Sequence, residues 1–165
     1  MEIVIARIDD RFIHGQVLTK WVKALPIQRI IIVSTEIAVD PMRKILTLSV
    51  APASVKASAV TPEKMGRVFK NPKYKKTTVM LLFGSPQAVI DTIMAGVEIS
   101  LVNVGGLRFD IDRKQITEAV SVSTADIQAF RKLDDMGVKL GLRQLPSDSN
   151  QDFVKLLNQK LHSIS

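Results

Sequence analysis

The chain has no cysteine, which excludes a disulfide framework and any thiolate nucleophile and makes a reducing compartment the expectation. Aromatic residues are scarce: six phenylalanines, one tyrosine and one tryptophan. Only Tyr74 falls inside the one dense basic cluster, Lys70, Lys73, Lys75 and Lys76, and a single ring is too little for a base-stacking surface, so no nucleic-acid partner is expected. Apolar runs fall well short of the about 20 residues that cross a bilayer. No basic segment followed by an apolar core opens the chain, so no signal peptide is expected. Only two histidines occur, which confines imidazole chemistry to His14 and His162.

What is present fits one globular domain over residues 1–165, 46% hydrophobic and large enough for a substantial core. The expectation is a cytoplasmic domain that does not itself span a membrane. A formal charge of +7 and a pI near 9.8 point to an anionic partner, whether nucleic acid, acidic protein or phosphate.

Strand and helix signals alternate along the chain. Glu2-Ile3-Val4-Ile5-Ala6 is a β-type run, and Val17, Leu18, Trp21, Val22 and Leu25 form an amphipathic helical stripe. Arg29 to Val33, Val55 to Val60, Thr78 to Phe83, Ile99 to Val104, Glu118 to Val122 and Val138 to Leu142 read as further strands. Helices open at Asp40-Pro41, Thr61-Pro62 and Gly84-Ser85-Pro86, where a capping oxygen precedes a proline whose missing N–H has no use. Two more are expected, from Thr124-Ala125-Asp126 to Gly137 and from Asp148 to about His162. Units of roughly 25 residues imply parallel strands with right-handed crossovers, an α/β three-layer sandwich.

The densest chemistry lies in Arg7-Ile8-Asp9-Asp10-Arg11-Phe12-Ile13-His14-Gly15-Gln16, which reads as the exit of the first strand. Ligands gather at such places in open α/β sheets. An imidazole is nucleophilic when one nitrogen is unprotonated, and a carboxylate that accepts a bond from the other nitrogen fixes that tautomer. Asp9 and Asp10 are both candidates for the orienting role. Arg7 and Arg11 offer forks suited to phosphate oxygens, and the amides of Gly15 and Gln16 would add donors aligned with a helix dipole. Ser85, Asn103, Gly105, Gly106 and Arg108 also follow strands and are candidates to line the same crevice, with Asp10.

Each of these residues has a plainer explanation when taken alone. The arginines could pair with the aspartates, Asp10 and Ser85 could be helix caps, and His162 could complement a helix C-terminus. Gly105-Gly106 lacks the dinucleotide fingerprint, and Asp9-Asp10 has no third metal ligand nearby in sequence, so neither cofactor nor metal is expected. A basic nucleic-acid-binding or regulatory module is the alternative reading.

Together the ten residues from Arg7 to Gln16 resemble the active-site loop of the enzyme IIB components of the mannose/fructose/sorbose family of the bacterial sugar phosphotransferase system. The likeness continues through Asn103-Val104-Gly105-Gly106, the segment around Lys114-Gln115-Ile116-Thr117, and Gly137-Val138-Lys139-Leu140. Val55 to Val60 and Arg143-Gln144-Leu145-Pro146-Ser147-Asp148 look most like the fructose-specific component of levan-utilisation systems. Phe12 stands where leucine is common, and Leu107 where methionine is common.

The resemblance implies a protein-Nπ-phosphohistidine–sugar phosphotransferase. His14 would carry a phosphoryl group on Nδ1, received from phosphorylated IIA and passed to a sugar at the membrane subunits IIC and IID. Fructose is the first expected sugar and mannose the second. It also implies a twisted, mostly parallel seven-stranded sheet with helices on both faces, no cofactor, and peripheral association with the permease. Asp9 and Arg11 would join His14 in catalysis, with Arg7, Arg11, Gly15 and Gln16 binding phosphate.

Overall fold

Alternation at period two decides which layer each strand residue enters. The computed structural model describes residues 1–164, with the side chains of Gln16 and Ile164 outside that description. In order, the elements are β1 (Glu2–Asp9), α1 (Gly15–Ala24), β2 (Arg29–Val33), α2 (Thr35–Val39), α3 (Pro41–Ser49), β3 (Lys56–Val60), α4 (Pro62–Lys70) and β4 (Thr78–Phe83). There follow α5 (Pro86–Met94), β5 (Leu101–Gly106), β6 (Lys114–Gln115), β7 (Ser121–Val122), α6 (Thr124–Asp135), β8 (Lys139–Leu142), β9 (Gln151–Asp152) and α7 (Phe153–Ile164). Helix α4 ends at Lys70, and a 3-10 turn at Pro72–Tyr74 follows it.

In β4, Val79, Leu81 and Phe83 enter one apolar layer and Met80 and Leu82 the other. In β2, Ile31 and Val33 divide from Ile30 and Ile32 in the same way. One layer receives Leu18 and Trp21 of α1 and Ile37 of α2. The opposite layer receives Met65 of α4, Val89 and Ile90 of α5, Phe130 and Leu133 of α6, and Phe153 and Leu157 of α7. The three-layer sandwich is therefore borne out, with helices on both faces.

The seven-stranded sheet has the order β3-β2-β4-β1-β5-β8-β9. All its pairings are parallel except β8 with β9. The chain moves outward from β1 through β2 to β3, then turns back through β4 to β5. Right-handed crossovers in opposite directions place their helices on opposite faces. At its C-terminal end β1 thus leads to α1 on one face, while adjacent β4 leads to α5 on the other, and the two exits part around a crevice.

Local chemistry explains the helix starts. Asp40 accepts from Met42 N and Arg43 N, Thr61 from Lys64 N, and Ser85 from Ala88 N. Ser123 and Asp126 complete a capping box at α6.

Some expectations are corrected. Of Glu118 to Val122 only Ser121–Val122 forms a strand, paired antiparallel with Lys114–Gln115 outside the main sheet. The place beside β5 belongs to β8. The seventh sheet strand is instead β9, whose two residues are both polar and exposed and so show no alternation. Helix α7 begins at Phe153 rather than Asp148, because the Asp148 carboxylate closes a turn by accepting from Leu145 N at 2.9 Å. Helix α2, capped by Ser34, is too short to show a period.

Candidate functional site

Strand β1 runs three residues beyond the apolar segment expected for it, through Arg7, Ile8 and Asp9. Ala6 and Ile8 face the layer formed by α4 to α7, so alternation turns Arg7 and Asp9 to the α1 side. Asp9 N is followed by a tight turn in which Phe12 N donates to Asp9 O at 2.9 Å. Phe12 has φ +56°, a left-handed conformation unusual for a side chain of its size. Its ring rests on Gly84, where a Cβ would lie 2.8 Å from the ring tip. This turn reverses the chain so that His14, the residue preceding α1, lies over Asp9.

His14 caps α1 by position only. Its side chain makes no capping bond, which leaves the ring free to face Asp9, and Nε2 lies 2.9 Å from Asp9 Oδ2. An ionised carboxylate can only accept, so Nε2 carries the proton and Nδ1 keeps its lone pair. The His14 side chain is 27% exposed. Beyond it, the backbone of Gly15 and Gln16 forms the first turn of α1. Gly15 is exposed, with open space where a Cβ would stand.

Asp9 joins three cationic or protonated groups. Its Oδ1 accepts from Arg11 N at 3.1 Å and from Arg11 Nε at 3.3 Å, and Oδ2 also lies 3.5 Å from Arg7 Nη2. The other candidate, Asp10, points elsewhere: its Oδ2 accepts from Arg108 N at 2.9 Å. Arg11 has a 42% exposed side chain that runs over Gly106, where a Cβ would come within 3.1 Å of Nη2.

Arg7 does not take the place expected among phosphate-binding groups. Its side chain is only 2% exposed, its hydrogen bonds run to groups inside the protein, and its Nη2, buried without a hydrogen bond, lies in ion-pair range of Asp9. Nη1 donates to Asn103 Oδ1 and, at 3.0 Å, to Arg143 O. Burial pushes its guanidinium below the ordinary arginine value, an effect opposed by Asp9 and increased by Arg11 and Arg143. The cause of its burial lies across the sheet. β5 pairs Asn103 with Arg7, and with Val102 and Val104 facing the other layer, Asn103 and Gly105 share the Arg7 face. A Cβ at Gly105 would collide with the Arg7 guanidinium. Asn103, Gly105 and Gly106 are thus strand residues beneath the site, not a loop at its rim.

Ser85 lines a cleft of about 380 Å³ on the β1–β4 side with Asp10, Phe12 and Arg43, and His14 is not among the residues that line it. The Ser85 hydroxyl also caps α5. Asn103 belongs to a separate cleft of about 350 Å³ with Trp21 and Arg143, on the sheet face that α1 leaves uncovered. His162 lies in the last turn of α7, on a different element from His14.

Three residues near the site carried no role in the sequence reading. Trp21 lies 5.4 Å beneath the Arg7 guanidinium and 5.1 Å from that of Arg143, and its Nε1 donates to Gln144 O at 3.0 Å. Gln144 Nε2 in turn donates to Gly105 O. The available signals were the solitary tryptophan and the Arg143-Gln144 pair within a segment already notable for its family likeness. Among the described residues no helix is long and apolar enough to cross a membrane, and no group of three or more acidic or histidine side chains could hold a metal ion.

Residues 3–165 match the model of the sorbose subfamily IIB component of the phosphotransferase system. The chain is 59% identical over 157 residues to the fructose-specific EIIB component of Bacillus subtilis, covering 95% of this chain and 96% of that one. It is 46% identical to the mannose-specific EIIAB component of Escherichia coli K12, spanning 96% of this chain but 49% of that longer protein. Its fold is similar to the IIBSor domain of the Klebsiella pneumoniae sorbose permease, with a TM-score of 0.91 at 43% identity over 96% of this chain and 98% of that one. A solved structure titled a phosphoenolpyruvate-dependent phosphotransferase system gives 0.94 at 58% identity, covering 96% and 99%. The chain belongs to the sorbose-subfamily IIB family of the sugar phosphotransferase system, and is a phosphoryl carrier in sugar transport.

Proposed function

We propose that His14 Nδ1 is the phosphoryl acceptor, taking the group from a phosphohistidine on IIA and giving it to a sugar at the membrane subunits IIC and IID. The observation that carries this reading is the 2.9 Å contact between Nε2 and Asp9, which leaves the partly exposed ring with its lone pair on Nδ1. As the donor N–P bond breaks and the Nδ1–P bond forms, the imidazole becomes cationic. The Asp9 carboxylate stabilises that charge, and the donor histidine departs with the bonding electron pair. A loose phosphoryl-transfer transition state needs positioning and charge stabilisation above all.

Arg11 supplies that stabilisation. Its Nε is held by Asp9 while its terminal amino groups extend toward solvent, placed to clamp the equatorial oxygens. The amides of Gly15 and Gln16 at the start of α1 add donors with the helix dipole behind them. Arg7 acts from below, by fixing Asp9. Fructose is the first sugar to test and mannose the second, on the strength of the 59% identity to a fructose-specific relative.

Incubation with phosphoenolpyruvate, enzyme I, HPr and IIA should add one acid-labile phosphate, read by mass spectrometry, with phosphorus NMR assigning it to Nδ1. His14→Ala should abolish the label and His162→Ala should keep it. Retention of the label in His14→Ala would overturn the assignment.

A further inference from the structure

The segment between β5 and β6 exposes two large apolar side chains, Phe109 at 70% and Ile111 at 89%. Two large apolar side chains held in solvent on one short strap offer a partner an apolar surface to cover. The segment is fixed. Arg108 N and Nη2 donate to Asp10 Oδ2 and Asp10 O, and Arg113 Nη1 donates to Arg108 O at 3.2 Å. Arg113 N donates to Asp110 O, and the Asp110 carboxylate accepts from Ile111 N. Asp10 follows Asp9 in the chain, and its own N–H donates to Gly106 O at 3.1 Å. The strap is therefore tied to the same backbone that carries Asp9 and leads to His14.

We propose that the strap from Arg108 to Arg113, through Phe109 and Ile111, is the docking element for the phosphorylated IIA donor, whose matching surface would be an apolar depression beside its phosphohistidine. This rests on the reading of His14 as phosphoryl acceptor. Charge selects the donor over the membrane subunits. Around the strap Arg11, Arg108, Arg113 and Lys114 face Asp10, Asp110 and Asp112, four cations against three anions. Unloaded, this rim is net positive and attracts a partner bearing a phosphoryl group. Once His14 holds that group, its roughly two negative charges together with the positive charge on the ring add a net charge of about −1, the rim becomes close to neutral, and the spent donor is no longer drawn to it. An interface that attracts before transfer and weakens after it suits a carrier that must leave one partner for the next.

The test is rapid-quench transfer of labelled phosphate from purified phospho-IIA, at varied donor concentration, to the full chain and to the double variant Phe109→Ala/Ile111→Ala. The apparent KM should rise tenfold or more with kcat within twofold, and Phe109→Leu/Ile111→Val should recover most of the loss. Calorimetric binding of IIA to the same variants should weaken in parallel, and circular dichroism checks that they fold. An unchanged KM would overturn the proposal. So would a variant normal with IIA but slowed in sugar phosphorylation by vesicles bearing IIC and IID, which would assign the strap to the permease. A wild-type chain that takes no label on His14 at any donor concentration would instead bring down the underlying reading.

Discussion

Asp9 is the residue on which the chemistry turns, because it alone touches Arg7, Arg11 and His14. As a carboxylate it forces the proton of His14 onto Nε2. An amide at this position can turn its NH₂ toward the ring, so Nε2 becomes the acceptor and Nδ1 the protonated nitrogen. Asp9→Asn should therefore slow phosphoryl acceptance by on the order of 10²–10⁴-fold, as tautomer reversal does in hydrolase triads, and should also lower stability, because it leaves the buried Arg7 guanidinium without its counter-charge. Nitrogen NMR of the ring would check the tautomer directly. Arg7→Met should act differently. It removes the buried partner of a buried carboxylate and should destabilise the chain by about 3 kcal/mol or more, measured by urea denaturation. The variant also gives up the hydrogen bonds to Asn103 Oδ1 and Arg143 O and the guanidinium stacked on Trp21.

Strands β1 and β5 bring these side chains together, and they do so by pairing in register. Arg7 lies opposite Asn103, and Ile8 opposite Val104. Both strands extend further than their apolar segments, because charged or side-chain-free residues at their C-terminal ends face one another across the ladder rather than solvent. Gly105 makes this possible, since the space above it is filled by the Arg7 guanidinium. Gly105→Ala should destabilise by about 1–3 kcal/mol through overpacking, and by displacing Arg7 it should also lower phosphoryl acceptance. A thermal melt together with the labelling assay separates the two effects. Loss of activity with an unchanged melting temperature would show that Arg7 moves without strain. The helices were more legible than the strand ends. Asp40, Thr61 and Ser85 each cap within three residues of themselves, so their signal is local. The exits of β1 and β5 looked like loops because polarity and glycine usually mark turns, and only pairing overrides that.

Across the whole molecule, a formal charge of +7 gives a long-range attraction to an acidic phosphorylated partner. The association rate with phospho-IIA should fall by about tenfold between low and high salt, as steering within a Debye length of about 10 Å predicts. Stopped-flow measurement at 50 and 500 mM salt, in round figures, checks it, and a rate indifferent to salt would remove steering from the account.

The order of β and α segments, the helix caps and the clustering of His14 with two arginines and two aspartates between positions 7 and 14 were all present in the chain as written. Those features depend on neighbours a few residues apart, and a linear sequence displays such neighbours. Three matters waited for the folded chain: that Asp9 and not Asp10 meets the ring, that Arg7 is buried as a support, and that the segment around Ser121 stays outside the main sheet, whose seventh strand is β9. Each depends on strand order and on which residues share a face. Arg7 meets Asn103 and Arg143 across separations of 96 and 136 residues, and contacts at that range are set only when the sheet closes.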